Sequence, residues 1–223
     1  MTLDLAIRGG TVATASDVFR ADIGVKDGRI VAIAEALEAP TVIDATGRLV
    51  LPGGVEAHCH IAQESASGVM TADDYWTGSV SAAVGGNSCF VPFAAQHRGM
   101  SVTETLDLYE GRAAPNAAID YSFHLIVADP TEEALARELP DAVARGVTSF
   151  KVFVTYERMR IEDRRFLDIL TVAKTHGAVT MVHAENDAMI DWMSERLLAA
   201  GCTAPRHHAP SHPELAEIQA VHR

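Results

Sequence analysis

From Leu3 to Leu51, short runs of Val, Ile and Leu alternate with polar residues and are broken every few positions by turn formers. The segments "LDLAIRGGTVAT", "ADIGVKDGRIVAIA" and "TVIDATGRLVLPG" have the two-residue period of half-buried strands. Lys26-Asp27-Gly28-Arg29 places Asp-Gly where a tight hairpin turn needs positive φ. No helix of useful length fits these first fifty residues.

After Pro52 the pattern changes. Apolar β-type runs begin near Val55, Ser88, Tyr121, Thr148 and Ala178, 27 to 33 residues apart, with helical stretches between them. Such a spacing accommodates one strand, one helix and two loops per unit. Ser101 to Glu104 matches a capping box, as does Ser211 to Glu214 with Pro213 inside its first turn. Gly146, Gly177 and Gly201 stand where helix C-terminal caps are expected. Repeated strand-helix units imply a parallel sheet, either a (β/α)₈ barrel or an open doubly wound sheet. No G-x-G-x-x-G follows a strand, which weakens a dinucleotide-binding reading. A barrel needs eight strands. Five are legible, and "SHPELAEIQAVHR" reads as a helix cut soon after it starts.

Composition narrows the class. The 223 residues carry 18 basic and 30 acidic side chains, a net charge of −12, with no basic cluster. Nucleic acid and anionic membranes are therefore not expected partners. No run approaches the roughly 18 apolar residues of a membrane span, and "MTLDLAIRGG" lacks the pattern of a secretory signal. Cys59, Cys89 and Cys202 are too scattered for a disulfide framework. A soluble cytoplasmic protein is the expectation.

Three features carry candidate chemistry. In "VEAHCHI", strand alternation sends Glu56, His58 and His60 to one face and Val55, Ala57, Cys59 and Ile61 to the other. Two imidazoles at i and i+2 converge as a metal chelate requires, although a bare H-x-H is also read as two hydrogen-bonded core histidines. Second, three lysines stand against fifteen arginines, and Lys151 lies inside the apolar run "TSFKVFVTY". Burial there favours the neutral amine, which can add carbon dioxide to form a two-oxygen carbamate; the alternative is a lysine snorkelling at a strand end. Third, His183 ends an apolar run in "AVTMVHAEND", where barrel enzymes place catalytic groups. Glu185, Asn186 and Asp187 follow and could orient His183 or cap the next helix.

H-x-H, Lys and His thus fall in order at the ends of the first, fourth and fifth strands of one sheet. With "IDATGRLVLPGGVEAHCH", "IDYSFH", "SFKVFVTY", "VHAEND" and the ending "CTAPRHHAPSHPELAEIQAVHR", the chain resembles the amidohydrolase superfamily. Within it the resemblance is to the cyclic amidohydrolases of the dihydropyrimidinase and D-hydantoinase group, over essentially the whole chain. It implies an α/β fold: a partial (β/α)₈ TIM-type barrel over residues 52–223, preceded by part of a β-sandwich over residues 1–51. It also implies two divalent metal ions, usually zinc. His58 and His60 would bind the more buried ion, carbamylated Lys151 would bridge the pair, and His183 would bind the more exposed one, with Glu56 supporting the ligands from behind. Tyr156 would bind the substrate carbonyl and stabilise its oxyanion. A further histidine and the catalytic aspartate would lie beyond Arg223. The resemblance therefore implies an N-terminal piece of a homotetrameric hydrolase, inactive by itself.

The implied reaction opens a cyclic amide or ureide, a hydroxide held between the metals attacking the ring carbonyl. No arginine follows H-x-H in "IAQESASGVMTADD", so a neutral dihydropyrimidine, hydantoin or cyclic imide fits better than an allantoinase or dihydroorotase substrate. Residues 62–72 are expected to form a loop over the pocket. There are two departures from the family pattern. Glu56 stands where aspartate is common, and Cys59 separates the histidines while facing away from them. His207, His208 and His212 match no ligand position. Two other readings are a non-catalytic dihydropyrimidinase-like protein and a complete open-sheet metal-binding module.

Overall fold

The computed structural model describes residues 2–65 and 68–223. The chain divides into two compact units, the first ending at Gly54 and the second running from Val55 to Arg223.

The first unit is built of short strands. β1 (Leu5–Arg8) lies between β4 (Asp22–Lys26), antiparallel, and β6 (Thr41–Asp44), parallel; β5 (Arg29–Ala34) extends this sheet beyond β4. β2 (Thr11–Ala13) pairs with β3 (Val18–Arg20) and β7 (Leu49–Val50) in a second, three-stranded sheet. The β4–β5 hairpin turns at Asp27 and Gly28, with φ of 50° and 72°. Both values lie in the region that Asp-Gly tolerates and β-branched residues do not. Alternation along β1 and β2 buries Ala6 and Val12.

The second unit is a curled half-barrel. β8 (Gly54–Cys59), β9 (Asn87–Ala95), β10 with β11 (Asp120–Tyr121 and His124–Ile126), β12 (Ser149–Phe153) and β13 (Val179–His183) stand side by side in chain order. The pairings β9–β10, β9–β11, β11–β12 and β12–β13 are all parallel. Helices α1 (Tyr75–Val84), α2 (Val102–Ala113), α3 (Leu139–Ala144) and α4 (Asp163–His176) connect successive strands. α3 is preceded by one π-helical turn, Ala134–Glu138, and α4 ends on Gly177 in the left-handed conformation. α5 (Asp187–Ala199), α6 (His208–Ser211) and α7 (Glu214–His222) follow β13.

The core of this unit is the layer between sheet and helices. Phe90, Leu125, Phe150 and Val152 from the strands meet Val102, Leu106, Tyr109, Leu139 and Ile169 from the helices. Cys59 and Ile61 belong to this layer, as the alternation of "VEAHCHI" requires. Ile61 lies so close to α1 that a Cβ on Gly78 would come within 2.7 Å of its Cδ1.

Local start signals had mixed outcomes. Ser101 and Glu104 form the expected reciprocal capping box of α2. Ser211 does not cap α7, which begins after Pro213 with no side-chain cap. Ser211 is the last residue of α6, and its hydroxyl is taken by the His208 carbonyl (2.6 Å) and the His212 ring (2.8 Å). A short preceding helix captured the serine before the next one could use it.

Candidate functional site

Strand register decides which side chains share the concave face. His124 stands beside Phe93, and Ile126 stands beside Ala95 on one side and Lys151 on the other. Lys151 in turn stands beside Met181, and Phe153 beside His183. Side chains paired in a parallel sheet project to the same side, so the Lys151 amine rises from a row of Ala95, Ile126 and Met181. This burial lowers its pKa from the ordinary lysine value. Among the described residues no carboxylate pairs with it, and its Nζ lies 5.0 Å from the centroid of the Phe153 ring. A lone amine in apolar surroundings is held toward its nucleophilic, neutral form.

His183 ends β13 one row higher and stacks on the same Phe153, with centroids 5.5 Å apart. Its Nε2 meets Glu185 Oε2 at 2.6 Å. The carboxylate accepts a hydrogen bond from the Nε2–H, which leaves the Nδ1 lone pair for a ligand. His58 and His60 share a different aromatic support. Their centroids lie 4.8 and 4.9 Å from Phe93 and 5.7 Å from each other. His60 Nδ1 is paired with Gln63 Oε1 at 2.7 Å, leaving Nε2 open. The His58 ring has no hydrogen-bond partner among the described residues. The four candidate donors therefore stand in two pairs: His58 and His60 on Phe93, Lys151 and His183 on Phe153. Among the described residues, no three His, Cys, Asp or Glu side chains gather as a metal cage. The donors suit a divalent cation in kind, as imidazoles with free nitrogens and an unpaired amine.

Glu56 acts on the backbone. Its Oε1 accepts the His58 N–H at 2.8 Å, bracing the strand rather than an imidazole ring. Cys59 is half-buried against the core, and burial together with Glu56 pushes its thiol up to about 11. It is an inert packing residue. Tyr156 lies within 5.1 Å of the His183 ring, centroid to centroid, with 41% of its surface exposed. Burial and the nearby Glu185 charge raise its phenol pKa, so the hydroxyl keeps its proton as a donor. Of the residues after His183, Glu185 pairs with the ring, Asn186 caps α5 by accepting the Met189 N–H, and Asp187 turns toward Tyr156. In the 62–72 loop, Ala66 and Ser67 lie outside the described residues. Gln63 and Thr71 bond across that loop, as do Ser65 and Val69.

His124 is the residue that sequence reading passed over. Its Nδ1 pairs with the Ser149 hydroxyl, and its Nε2 with the Ala57 carbonyl at 2.9 Å. It thereby ties the strand of His58 to the strand of Lys151 beneath both. The signal was present, since His124 closes "IDYSFH" just before a buried apolar run. His207, His208 and His212 make local contacts instead. The His208 and His212 rings lie 4.5 Å apart, and Arg206 donates to His207 at 3.3 Å.

No family model matches the chain. A D-hydantoinase of Ralstonia pickettii is 42% identical over 225 residues, which is 99% of this chain and 48% of that protein. Dihydropyrimidinase 2 of Caenorhabditis elegans is 34% identical over 227 residues, 99% of this chain and 43% of that protein. A solved D-hydantoinase structure superposes with a TM-score of 0.93 at 41% identity, covering 98% of this chain and 48% of its own. The chain thus spans about half the length of the curated relatives it matches. Over essentially its whole length the half-barrel chain is similar to D-hydantoinases and to a dihydropyrimidinase, each matched over about half of its own length. The likeness to D-hydantoinases stands at 42% identity in sequence and a TM-score of 0.93 in structure.

Proposed function

We propose that the complete protein is a metal-dependent hydrolase that opens the ring of a neutral cyclic amide or ureide: a dihydropyrimidine, a hydantoin or a cyclic imide. The observation that carries this reading is Lys151, an amine in the apolar row of Ala95, Ile126 and Met181 that has no carboxylate partner among the described residues and shares the Phe153 ring with His183. Its lone pair would attack carbon dioxide and form an N–C bond. One C=O electron pair would move to oxygen and the proton leaving nitrogen would pass to water, giving a carbamate. His58, His60, that carbamate and His183 would hold two divalent ions, most fittingly zinc. When bound, such ions supply an activated water and a Lewis acid for the ring carbonyl.

The chain's own residues set up the rest. Gln63 and Glu185 hold the His60 and His183 rings with one nitrogen free. The Tyr156 hydroxyl, kept protonated, donates to the substrate carbonyl oxygen as negative charge develops there. On this reading the general acid/base is an aspartate outside these 223 residues, so the chain tested by itself should turn over no substrate. The partner is a small cyclic amide, and a homotetramer is the proposed assembly.

The test is metal content. The complete protein should bind close to two zinc ions per chain, and Lys151→Ala should lose most of them; unchanged zinc in that variant would refute the carbamate bridge. Turnover of dihydrouracil, hydantoin, allantoin and succinimide in parallel would then identify the ring.

A further inference from the structure

Tyr156 has φ of 66°, a left-handed conformation that bulky L residues rarely adopt. Strain of this kind persists only where the surroundings over-determine it. Here they do. Asp187, at the start of α5, accepts the Tyr156 N–H on Oδ1 at 2.7 Å and the Arg160 guanidinium on Oδ2 at 2.7 Å. Its side chain is only 14% exposed. The Tyr156 carbonyl accepts the N–H groups of Met159 and Arg160, each at 2.8 Å. Arg98 closes the loop from outside, donating to the carbonyls of Arg158 at 3.3 Å and Arg160 at 2.8 Å. On the inner side, the buried Thr155 hydroxyl donates to the Glu185 carbonyl at 2.8 Å and accepts the Glu185 N–H at 3.1 Å.

The helix does not need Asp187 for its own start, because Asn186 supplies the cap. Both Asp187 oxygens are spent on the loop that carries Tyr156. Residues of that loop line two clefts, Arg160 together with Asp187 in one and Met159 together with Gln63 and Gln96 in the other. Releasing its backbone would let the phenol swing away from His183.

We infer that Asp187 is a positioning residue. It fixes the left-handed backbone at Tyr156 and so presets the phenol beside His183 before substrate arrives. The catalytic part of this inference rests on reading Tyr156 as the donor to the substrate carbonyl; the anchoring part does not. Two readouts separate them. Residue-resolved amide exchange should rise about 10-fold or more at Tyr156 in Asp187→Ala, the loss of one such bond, and stay near wild type in Asp187→Asn, which keeps an oxygen acceptor. Where Asp187→Ala does not fold, Asp187→Ser removes the same reach. An unchanged Tyr156 amide would overturn the anchoring.

In the full-length enzyme acting on dihydrouracil, Tyr156→Phe and Asp187→Ala should each lower kcat by about 100-fold. The double variant should be no worse than the worse single one, because both remove the same contribution. Losses that multiply would overturn the inference, since Asp187 would then act independently of Tyr156. A silent Tyr156→Phe would overturn the role of Tyr156 in substrate binding and leave the exchange result to judge the anchoring.

Discussion

Asp22 in the first unit and Lys151 in the second are ionisable groups drawn out of water, and their surroundings differ completely. Asp22 accepts the N–H groups of Gly9 at 2.9 Å and Leu37 at 3.0 Å and faces Arg8 at 3.4 Å. Lys151 rises between Ile126 and Met181 with no carboxylate partner among the described residues. Burying a charge is tolerated when it is paired and hydrogen-bonded. Asp22 meets that condition and serves the architecture, fastening β4 to the turns at Gly9 and Leu37. Lys151 does not meet it from within this chain, and a group left so is where a ligand or a covalent modification belongs.

Substitutions break this comparison in graded ways. The largest effect should come from the apolar support under the histidine pair. Phe93 is 1% exposed and touches His58, His60 and His124, so Phe93→Ala should cost about 3–5 kcal/mol of stability in denaturant unfolding. Asp22→Ala should follow. Its carboxyl is held below the ordinary value, first by the Gly9 N–H and then by the Leu37 N–H and Arg8, against the opposing effect of burial. A lowered folded-state pKa means stability that is present above the ordinary carboxylate range and is lost as pH falls through the lowered value. The melting temperature of Asp22→Ala should therefore fall well below wild type at pH 7, with the gap closing in acid; a gap independent of pH would show that Asp22 acts by shape alone. Lys151→Met tests the other half of the comparison. In metal-free protein it should melt slightly higher than wild type, because an unpaired amine gives way to an apolar chain of similar length. A lower melting temperature would mean that Lys151 has a structural partner. The smallest change in fold should accompany Glu185→Gln, which leaves unfolding nearly unaltered and weakens zinc binding by about 10–100-fold. Zinc affinity equal to wild type would remove Glu185 from the site.

Much of this was legible along the chain. The Asp27-Gly28 turn, the strands beginning near Val55, Ser88, Thr148 and Ala178 and the α2 capping box are local. Each depends on a few neighbouring residues and on a period of two or 3.6. Alternation was also enough to turn Cys59 and Ile61 toward the helices and away from the histidines. The same locality explains the miss at Ser211, where two short-range partners competed for one hydroxyl and pattern alone could not rank them.

What tertiary structure decided are the contacts made across strands. His124 reaches Ala57 and Ser149, 67 and 25 residues away, because its strand pairs directly with β12 on one side and with β9, the partner of β8, on the other. Asp187 meets Tyr156 across 31 residues because β12 and β13 are in register and their following loops lie side by side. The Asn186, Glu185 and Asp187 side chains had interchangeable prospects in the sequence; one became a cap, one a partner of His183 and one an anchor for Tyr156. Sequence by itself determined the order of strands and the kind of donor on each face, since both follow from local periodicity. Which donor met which partner was left to register and packing, which bring together atoms that the chain keeps far apart.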